Sequence, residues 1–265
     1  IPRSSISISI FLVATASKIT GDIEFKDVTF TYDDTNITAL KNLSFTLKQG
    51  ETLAILGNTG SGKSTILNLI ARLYDTDSGE VLIDGKNIKD INLNDLRQNI
   101  GFVPQEAFLF SDTIKNNIKF GDNNASDAKI EQAAKNAYIH HNIIDFNEGY
   151  NTYVGERGVT LSGGQKQRIS IARALIKDPK ILILDDCLSA VDTETEETIL
   201  NNLYKVSHNK TTLIVSHRIS SVKNADKVIV IENGTIVQQG THNQLVNKIG
   251  YYKELYEQQL LEKEL

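Results

Sequence analysis

The chain has 265 residues, of which 40% are hydrophobic and 23% are charged, and its formal net charge is −5. This length can bury one substantial core, and the composition is ordinary for a globular protein. The acidic balance argues against a nucleic-acid-binding surface, so no nucleic acid partner is expected. The single cysteine, Cys187, excludes an internal disulfide framework.

Residues 1–20 carry little information about function. The sequence contains no methionine, and we expect that it was cut from a longer polypeptide. The apolar stretch from Ile6 to Ala14 is far shorter than the roughly 20 residues that a membrane-spanning helix needs. We therefore interpret 1–20 as a linker or the remnant of a preceding segment, and 21–265 as the folded unit.

The folded part opens with a pattern of antiparallel strands. Apolar and polar residues alternate from Asp22 to Tyr32, and a second alternating run includes Leu43, Phe45 and Leu47. Tyr32 comes just before a polar turn and upstream of a glycine-rich loop. An exposed aromatic side chain there could stack on a purine ring, or it could be a strand-end core residue. Spacing alone leaves both interpretations open.

The glycine-rich loop lies between a buried apolar run, Thr52–Leu56, and a helical pattern. Glycines allow backbone N–H groups to point inward as an anion-binding nest, and the following helix adds its positive dipole end. Lys63 is predicted to reach the outer phosphates, Ser64 to ligate Mg²⁺ and Thr65 to support the inner phosphates. The sequence therefore predicts a nucleoside triphosphate site. The loop residues are Gly57, Asn58, Thr59, Gly60, Ser61, Gly62, Lys63, Ser64 and Thr65.

A short apolar strand, Ile100–Val103, is followed closely by Gln105. Residues at the carboxyl ends of parallel strands lie where α/β folds bind their ligands, so the Gln105 amide oxygen could bind Mg²⁺ or the attacking water. From Ser111 to Ile144 the pattern becomes helical and no strand signal intervenes. We expect a helical subdomain, over about 106–176, inserted in the α/β core.

A second predicted phosphate-facing element begins a later helix. Ser162 can cap this helix, and Gly163 and Gly164 leave its first N–H groups uncovered, with Gln165 next in the sequence. A simple capped helix would not require an exposed Ser-Gly-Gly. Two such elements far apart in one sequence suggest that two chains share a nucleotide between them.

Acidic and basic side chains follow two further apolar strands. The run Ile181–Leu184 leads to Asp185, predicted to hold Mg²⁺, and to Asp186, predicted to orient or deprotonate the attacking water. The run Thr211–Val215 leads to His217, which could bond the γ-phosphate. A hairpin and a charged amphipathic helix complete the predicted elements.

Together these sequence motifs resemble those of the nucleotide-binding domain of an ATP-binding-cassette (ABC) transporter. The resemblance covers nearly the whole of 21–265. The glycine-rich loop matches the family's phosphate loop, and Tyr32 falls at its adenine-stacking position. Gln105 matches the Q-loop, and Leu161 to Gln165 match the signature. The remaining matches are Ile181 to Asp185 with the Walker B strand, Ser189 to Asp192 with the D-loop, and His217 with the switch histidine.

The resemblance implies an α/β fold: a P-loop NTPase (RecA-like) core with an N-terminal antiparallel β subdomain and an inserted α-helical subdomain. It also implies ATP and Mg²⁺ as ligands, and a head-to-tail dimer in which each signature closes the ATP site of a second nucleotide-binding domain. Val154 to Gly158 resembles the segment that marks exporters, although position 153 is Tyr where an acidic residue is often found. A transmembrane partner domain and a place at the cytoplasmic face of the cell membrane follow from this resemblance.

One position departs from the family pattern. Most members carry Glu where this chain has Asp186, and Asp there resembles the degenerate-site subunit of heterodimeric exporters. The main hypothesis is an ATP-hydrolysing motor domain, and the alternative is a catalytically weak module that mainly completes a partner's site. A DNA-repair or chromosome-structuring ATPase would need long coiled-coil segments before the signature, and the short insertion argues against that class.

Overall fold

The computed structural model describes residues 18–155, 160–206 and 209–264, and within them ten strands form two sheets. Residues 1–17 of the predicted linker lie outside the described residues. In chain order the strands are β1 (Ile23–Tyr32), β2 (Ile37–Leu47), β3 (Thr52–Leu56), β4 (Ser78–Ile83), β5 (Lys86–Asn87), β6 (Ile100–Val103), β7 (Ile181–Asp185), β8 (Thr211–Val215), β9 (Lys227–Glu232) and β10 (Thr235–Gly240).

The two sheets differ in strand direction. The first has four strands in the order β2-β1-β4-β5, and every pair in it is antiparallel. The second has six strands in the order β10-β9-β3-β8-β7-β6, parallel except for the edge strand β10. The predicted α/β core with an antiparallel β subdomain is thus confirmed, although the chain leaves the first sheet to form β3 and then returns to it.

The described residues also form helices. They are α1 (Lys63–Ile70), α2 (Leu93–Gln98), α3 (Ile114–Lys119), α4 (Asp127–Asn136), α5 (His140–Ile144), α6 (Gly163–Leu175), α7 (Thr193–Val206), α8 (Ile219–Val222), α9 (His242–Leu245) and α10 (Tyr251–Glu264), with short 3₁₀ turns at Ile88–Asp90 and Gly149–Asn151. Helices α3 to α6 lie between β6 and β7, which confirms the inserted helical subdomain; its limits at 106 and 176 stay a prediction.

The parallel sheet is the middle layer of three. Every residue of β3, β7 and β8 is buried, as expected for parallel strands covered on both faces. Side chains of a strand alternate between its faces, so Leu53 and Ile55 pack with α1 and the antiparallel sheet. Ala54 and Leu56 pack on the other face with the helical insertion. No helix in the described part of the chain is long and apolar enough to cross a membrane.

Asp84 ties the start of the folded chain to the β4–β5 turn. Its carboxylate accepts hydrogen bonds from the backbone N–H groups of Thr20, Gly21 and Asp22, at 2.7, 3.0 and 2.9 Å, and from the Thr20 hydroxyl at 2.6 Å. Partial burial raises the pKa of Asp84, but the hydrogen bonds from Thr20, Asp22 and Gly21 outweigh it and hold the pKa below its usual range.

We expect Asp84→Asn to lower the free energy of unfolding at pH 7 by about 1 kcal/mol, because the amide accepts these bonds less strongly at a largely exposed site. A depressed pKa in the folded state stabilises the protein above the unfolded pKa, about 3.9, and this contribution is lost as the pH falls through the folded value. Urea unfolding at pH 7 and at pH 2, well below the unfolded pKa, measures both effects. The difference in unfolding free energy between the wild type and Asp84→Asn should shrink toward low pH. A difference that grows would contradict this account.

Candidate functional site

The glycine-rich loop joins the end of β3 to the start of α1, as the sequence predicts. Gly57 has φ +143°, and a Cβ there would lie 2.2 Å from the backbone oxygen of Ile231 and 2.9 Å from Ser61 Oγ. Only glycine therefore fits where the loop passes β9. Gly60 has φ +79°, yet a Cβ there would meet nothing within 4 Å. The loop is tightly packed at one end and open at the other.

Lys63 closes the loop on itself. Its Nζ donates to the backbone oxygens of Gly57 and Asn58, both at 2.8 Å, and the residue is only 7% exposed. Burial lowers the pKa of Lys63, and the nearby negative charges of Asp186 and Asp185 oppose that shift. A buried ammonium group held by two neutral carbonyls is suited to exchange them for a phosphate oxygen.

Ser64 and Asp185 form the pair expected to hold a metal ion. Ser64 Oγ donates to Asp185 Oδ1 at 3.2 Å, which brings the first turn of α1 to the end of β7. Burial raises the pKa of Asp185, while the Ser64 hydrogen bond lowers it. Among the described residues no group of three His, Cys, Asp or Glu side chains could hold a metal. A hydroxyl with one carboxylate fits Mg²⁺ instead, because Mg²⁺ takes few protein oxygens and completes its shell with water and phosphate.

Asp186 faces Gln105 beyond the end of β7. Gln105 Nε2 donates to Asp186 Oδ2 at 3.4 Å, and the Asp186 backbone N–H donates to Val215 O at 2.9 Å. Burial raises the pKa of Asp186, whereas His217 and Lys63 lower it. The three side chains predicted to act on the γ-phosphate or the attacking water thus meet at the carboxyl ends of β6, β7 and β8.

These residues line one open cavity of about 510 Å³. A volume of this size suits a nucleotide-sized ligand. Tyr32 stands at its wall and its hydroxyl is 3.0 Å from Thr65 Oγ1, so the aromatic ring and the phosphate loop are joined directly. The predicted site residues in the lining are Tyr32, Thr59, Gly60, Gly62, Lys63, Ser64, Thr65, Gln105, Asp185, Asp186 and His217.

Tyr74 is a lining residue that sequence reasoning missed. Its ring meets the Tyr32 ring edge to face, with centroids 5.4 Å apart, and it also touches Phe30. The sequence offers only a weak signal, an aromatic residue shortly after the predicted end of α1. Because Tyr74 lies on the loop after α1, its proximity to Tyr32 depends on how the helix packs against the antiparallel sheet.

The signature residues lie elsewhere on the molecule. Ser162 Oγ accepts from the Gln165 N–H at 3.2 Å, and Gln165 Oε1 accepts from the Ser162 N–H at 3.0 Å, a reciprocal cap on α6. Ser162 and Gly163 are exposed, and none of the four residues lines the cavity. A Cβ on Gly164 would lie 3.2 Å from Ala190 O, so the signature packs beside the D-loop.

The segment that resembles the exporter motif is described only in part. Val154 is buried, and Tyr153 pairs with Thr113 in an isolated bridge while its hydroxyl donates to Ser111 O. The rest of the motif, 156–158, lies outside the described residues. Tyr153 thus contacts the segment that leads into α3 rather than presenting the acidic group often found at this position.

Strand β3, the glycine-rich loop and α1 define the chain as a P-loop NTPase. The family model described as ABC transporter matches residues 40–189. The chain therefore belongs to the ABC transporter family.

Curated relatives from Staphylococcus aureus agree with this assignment. A putative multidrug export ATP-binding/permease protein of strain NCTC 8325 / PS 47 is 50% identical over 236 residues. That alignment covers 89% of this chain and 41% of the relative, and the counterpart in the bovine strain RF122 / ET3-1 gives the same values. The chain thus spans about two fifths of the length of these relatives.

A solved structure shares the architecture. The structure of a bacterial Atm1-family ABC exporter with ATP bound matches this chain with a TM-score of 0.87 and 42% sequence identity. The match covers 90% of this chain and 42% of that chain. At this identity the likeness extends beyond the general fold.

Alanine substitutions at two glycines test the packing of the loop. We expect Gly57→Ala to lower the free energy of unfolding by about 3 kcal/mol or more, because the Cβ would collide with backbone. Gly60→Ala is the matched control with a positive φ but free space, and should cost about 1 kcal/mol. Urea unfolding measures the loss of stability in each variant, and a titration with MgATP measures its affinity for the nucleotide. Equal losses in the two variants would contradict the packing argument.

Proposed function

We propose that this chain is the ATP-binding and ATP-hydrolysing motor domain of an ABC exporter. The observation that carries the proposal is the convergence of Lys63, Ser64, Asp185, Asp186 and His217 on one cavity. Separate elements deliver a buried cation, a hydroxyl–carboxylate pair and a second carboxylate to one edge of the parallel sheet. This combination matches the needs of a Mg²⁺-bound triphosphate.

Each binding residue has a proposed role. Tyr32, supported edge-on by Tyr74, stacks on the adenine ring, and the loop 57–65 surrounds the phosphates with its backbone N–H groups. Lys63 moves from its carbonyl partners to the β- and γ-phosphates. Ser64, Asp185 and the Gln105 side-chain oxygen would hold Mg²⁺, which would supply positive charge against the phosphate oxygens.

The hydrolytic roles fall on Asp186, Gln105 and His217. Asp186 accepts the hydrogen bond of the attacking water and orients it, and Gln105, already 3.4 Å from the Asp186 carboxylate, fixes that carboxylate in the cavity. His217 bonds the γ-phosphate. Exposed Ser162 and Gly163, outside the cavity, are free to meet the γ-phosphate bound by a second chain.

We propose a head-to-tail pair of nucleotide-binding domains with two ATP molecules between them. The separation of signature and phosphate loop supports this arrangement, since one chain does not bring them together. Asp186 in place of Glu favours a heterodimer. The relatives are ATP-binding/permease proteins, and we infer a transmembrane partner domain that places this chain at the cytoplasmic face of the cell membrane and uses the cycle for substrate export.

An exposed aromatic patch supports the transmembrane partner. Phe108, Phe110 and Phe120 are 63%, 38% and 59% exposed and their rings contact one another in series. The Arg173 guanidinium lies over two of these rings. The patch lies on the helical insertion, and exposed aromatic side chains that contact one another are typical of a surface that meets a partner.

A catalytically weak module is the second candidate, because of the side chain at position 186. Asp is one methylene shorter than Glu, which withdraws the carboxylate by roughly 1 Å, and a displacement of that size can cost about 10²-fold in rate. In this alternative the chain binds ATP and supplies its signature to a partner. Both candidates share the ATP site and differ in turnover at Asp186.

Single-turnover phosphate release from MgATP separates the two candidates. If Asp186 is the catalytic carboxylate, Asp186→Asn lowers the rate by about 10²-fold while ATP affinity is retained. Asp178→Asn is the matched control. Asp178 lies just before β7 and Asp186 just after it, and both have a positive φ, +50° at Asp178 and +42° at Asp186. This control should leave the rate unchanged.

Asp186→Glu tests whether a longer carboxylate side chain raises the rate of phosphate release. A rise of more than tenfold would show that the short carboxylate limits turnover and would favour the weak module. An unaltered rate in Asp186→Asn, with wild-type hydrolysis measurable, would remove Asp186 from the reaction. A chain that fails to bind MgATP would refute both candidates.

A further inference from the structure

The C-terminal helix α10 contacts the loop that carries His217. The side-chain amide of Gln259 makes both contacts: Nε2 donates to His217 O at 2.7 Å, and Oε1 accepts from the Ile219 N–H at 2.8 Å. A single side chain therefore spans the backbone on both sides of Arg218. This residue stands 42 positions after His217 in the sequence, and no sequence motif points to it.

Gln259 replaces a helix cap that the loop lacks. Helix α8 begins at Ile219, and its N-cap residue, Arg218, makes no side-chain cap hydrogen bond. The first N–H groups of a helix have no partner within it, and Ile219 is only 4% exposed. Gln259 supplies the missing acceptor from another helix. The direction of the chain leaving His217 is thus set partly by α10.

The start of α10 is firmly anchored in the core. Tyr252 is fully buried, its hydroxyl is 2.7 Å from His242 Nδ1, and its N–H donates to Gln238 Oε1 at 3.0 Å. Gln259 follows Tyr252 by two helical turns, so both side chains lie on the same face. The amide is therefore presented to the His217 loop by a helix whose position is already fixed.

Arg218 holds the same loop from the other side. Its guanidinium donates to the backbone oxygens of Val191 and Ser189, at 3.2 and 3.5 Å, and forms an ion pair with the buried carboxylate of Glu196. The segment that bears His217 is thus fastened to the D-loop by Arg218 and to α10 by Gln259. His217 itself is exposed toward the cavity.

We propose that Gln259 is a positioning residue that fixes the His217 imidazole in the ATP site. The inference rests on the proposed function in one respect, that His217 acts on bound ATP. Loss of the amide frees the backbone oxygen of His217 and the N–H of Ile219 together. A displacement of about 1 Å at a reacting group is enough to slow the chemistry while the phosphate loop still binds nucleotide.

Three variants of the chain test this. Gln259→Ala removes both hydrogen bonds, whereas Gln259→Glu keeps an acceptor for Ile219 N–H and sets a carboxylate against His217 O. Gln258→Ala is the matched control, because its amide donates to Glu262 on the exposed face of the same helix. Gln259→Glu also controls for misfolding, since its carboxylate can still accept from the Ile219 N–H at the start of α8.

Three quantities are measured for each variant: kcat, the dissociation constant for MgATP, and the imidazole signals of the five histidines by NMR without nucleotide. His217→Ala identifies the His217 signal. We expect both Gln259 variants to lower kcat by about tenfold, to leave the dissociation constant within about twofold, and to shift the His217 signal. Gln258→Ala should match the wild type in every measurement.

The proposal is overturned if Gln259→Glu keeps the wild-type kcat, if the His217 signal does not move, or if ATP affinity falls as much as kcat. Failure of the proposed function looks different: the wild-type chain itself then releases no phosphate. In that case the NMR signal alone decides whether Gln259 positions His217.

Discussion

The parallel order of three buried strands is the constraint on which the site depends. Strands β3, β8 and β7 are neighbours, each five residues long and buried throughout. Since parallel strands end at the same edge, the residues at and just after those ends must meet there, and they include Lys63, His217 and Asp185. Buried apolar strands therefore do more than stabilise the fold, because their register sets the distances among the polar groups.

Those polar groups are hydrogen-bonded to one another and to their own loop. Lys63 donates to two carbonyls of its own loop, Ser64 to Asp185, and Gln105 to Asp186. Burial disfavours the charged forms of Lys63 and of both carboxylates. The attraction between Lys63 and the two carboxylates opposes this effect, whereas the Asp186 charge adds to it at Asp185. In the proposed function a triphosphate with its cation takes the place of these partners.

Much of this arrangement could be predicted from local sequence. The glycine loop, the apolar runs and the polar residues that end them have short-range signals, and the structure places Gln105, Asp186 and His217 in one cavity. Tyr74 and Gln259 could not be predicted, because their roles arise from contacts between elements distant in sequence. The return of the chain to the antiparallel sheet after β3 also lacked a signal, since a strand's residues do not identify its sheet.

The contacts within one chain also connect its ATP site to its signature. Arg218, next to His217, donates to the backbone oxygens of Ser189 and Val191, and the residue between them, Ala190, packs against Gly164 of the signature. The D-loop therefore lies between the His217 loop and the signature and contacts both. In the proposed dimer these elements serve different nucleotides. Because packed backbone leaves little free space, the contacts of the D-loop fix where the His217 loop and the signature lie relative to each other.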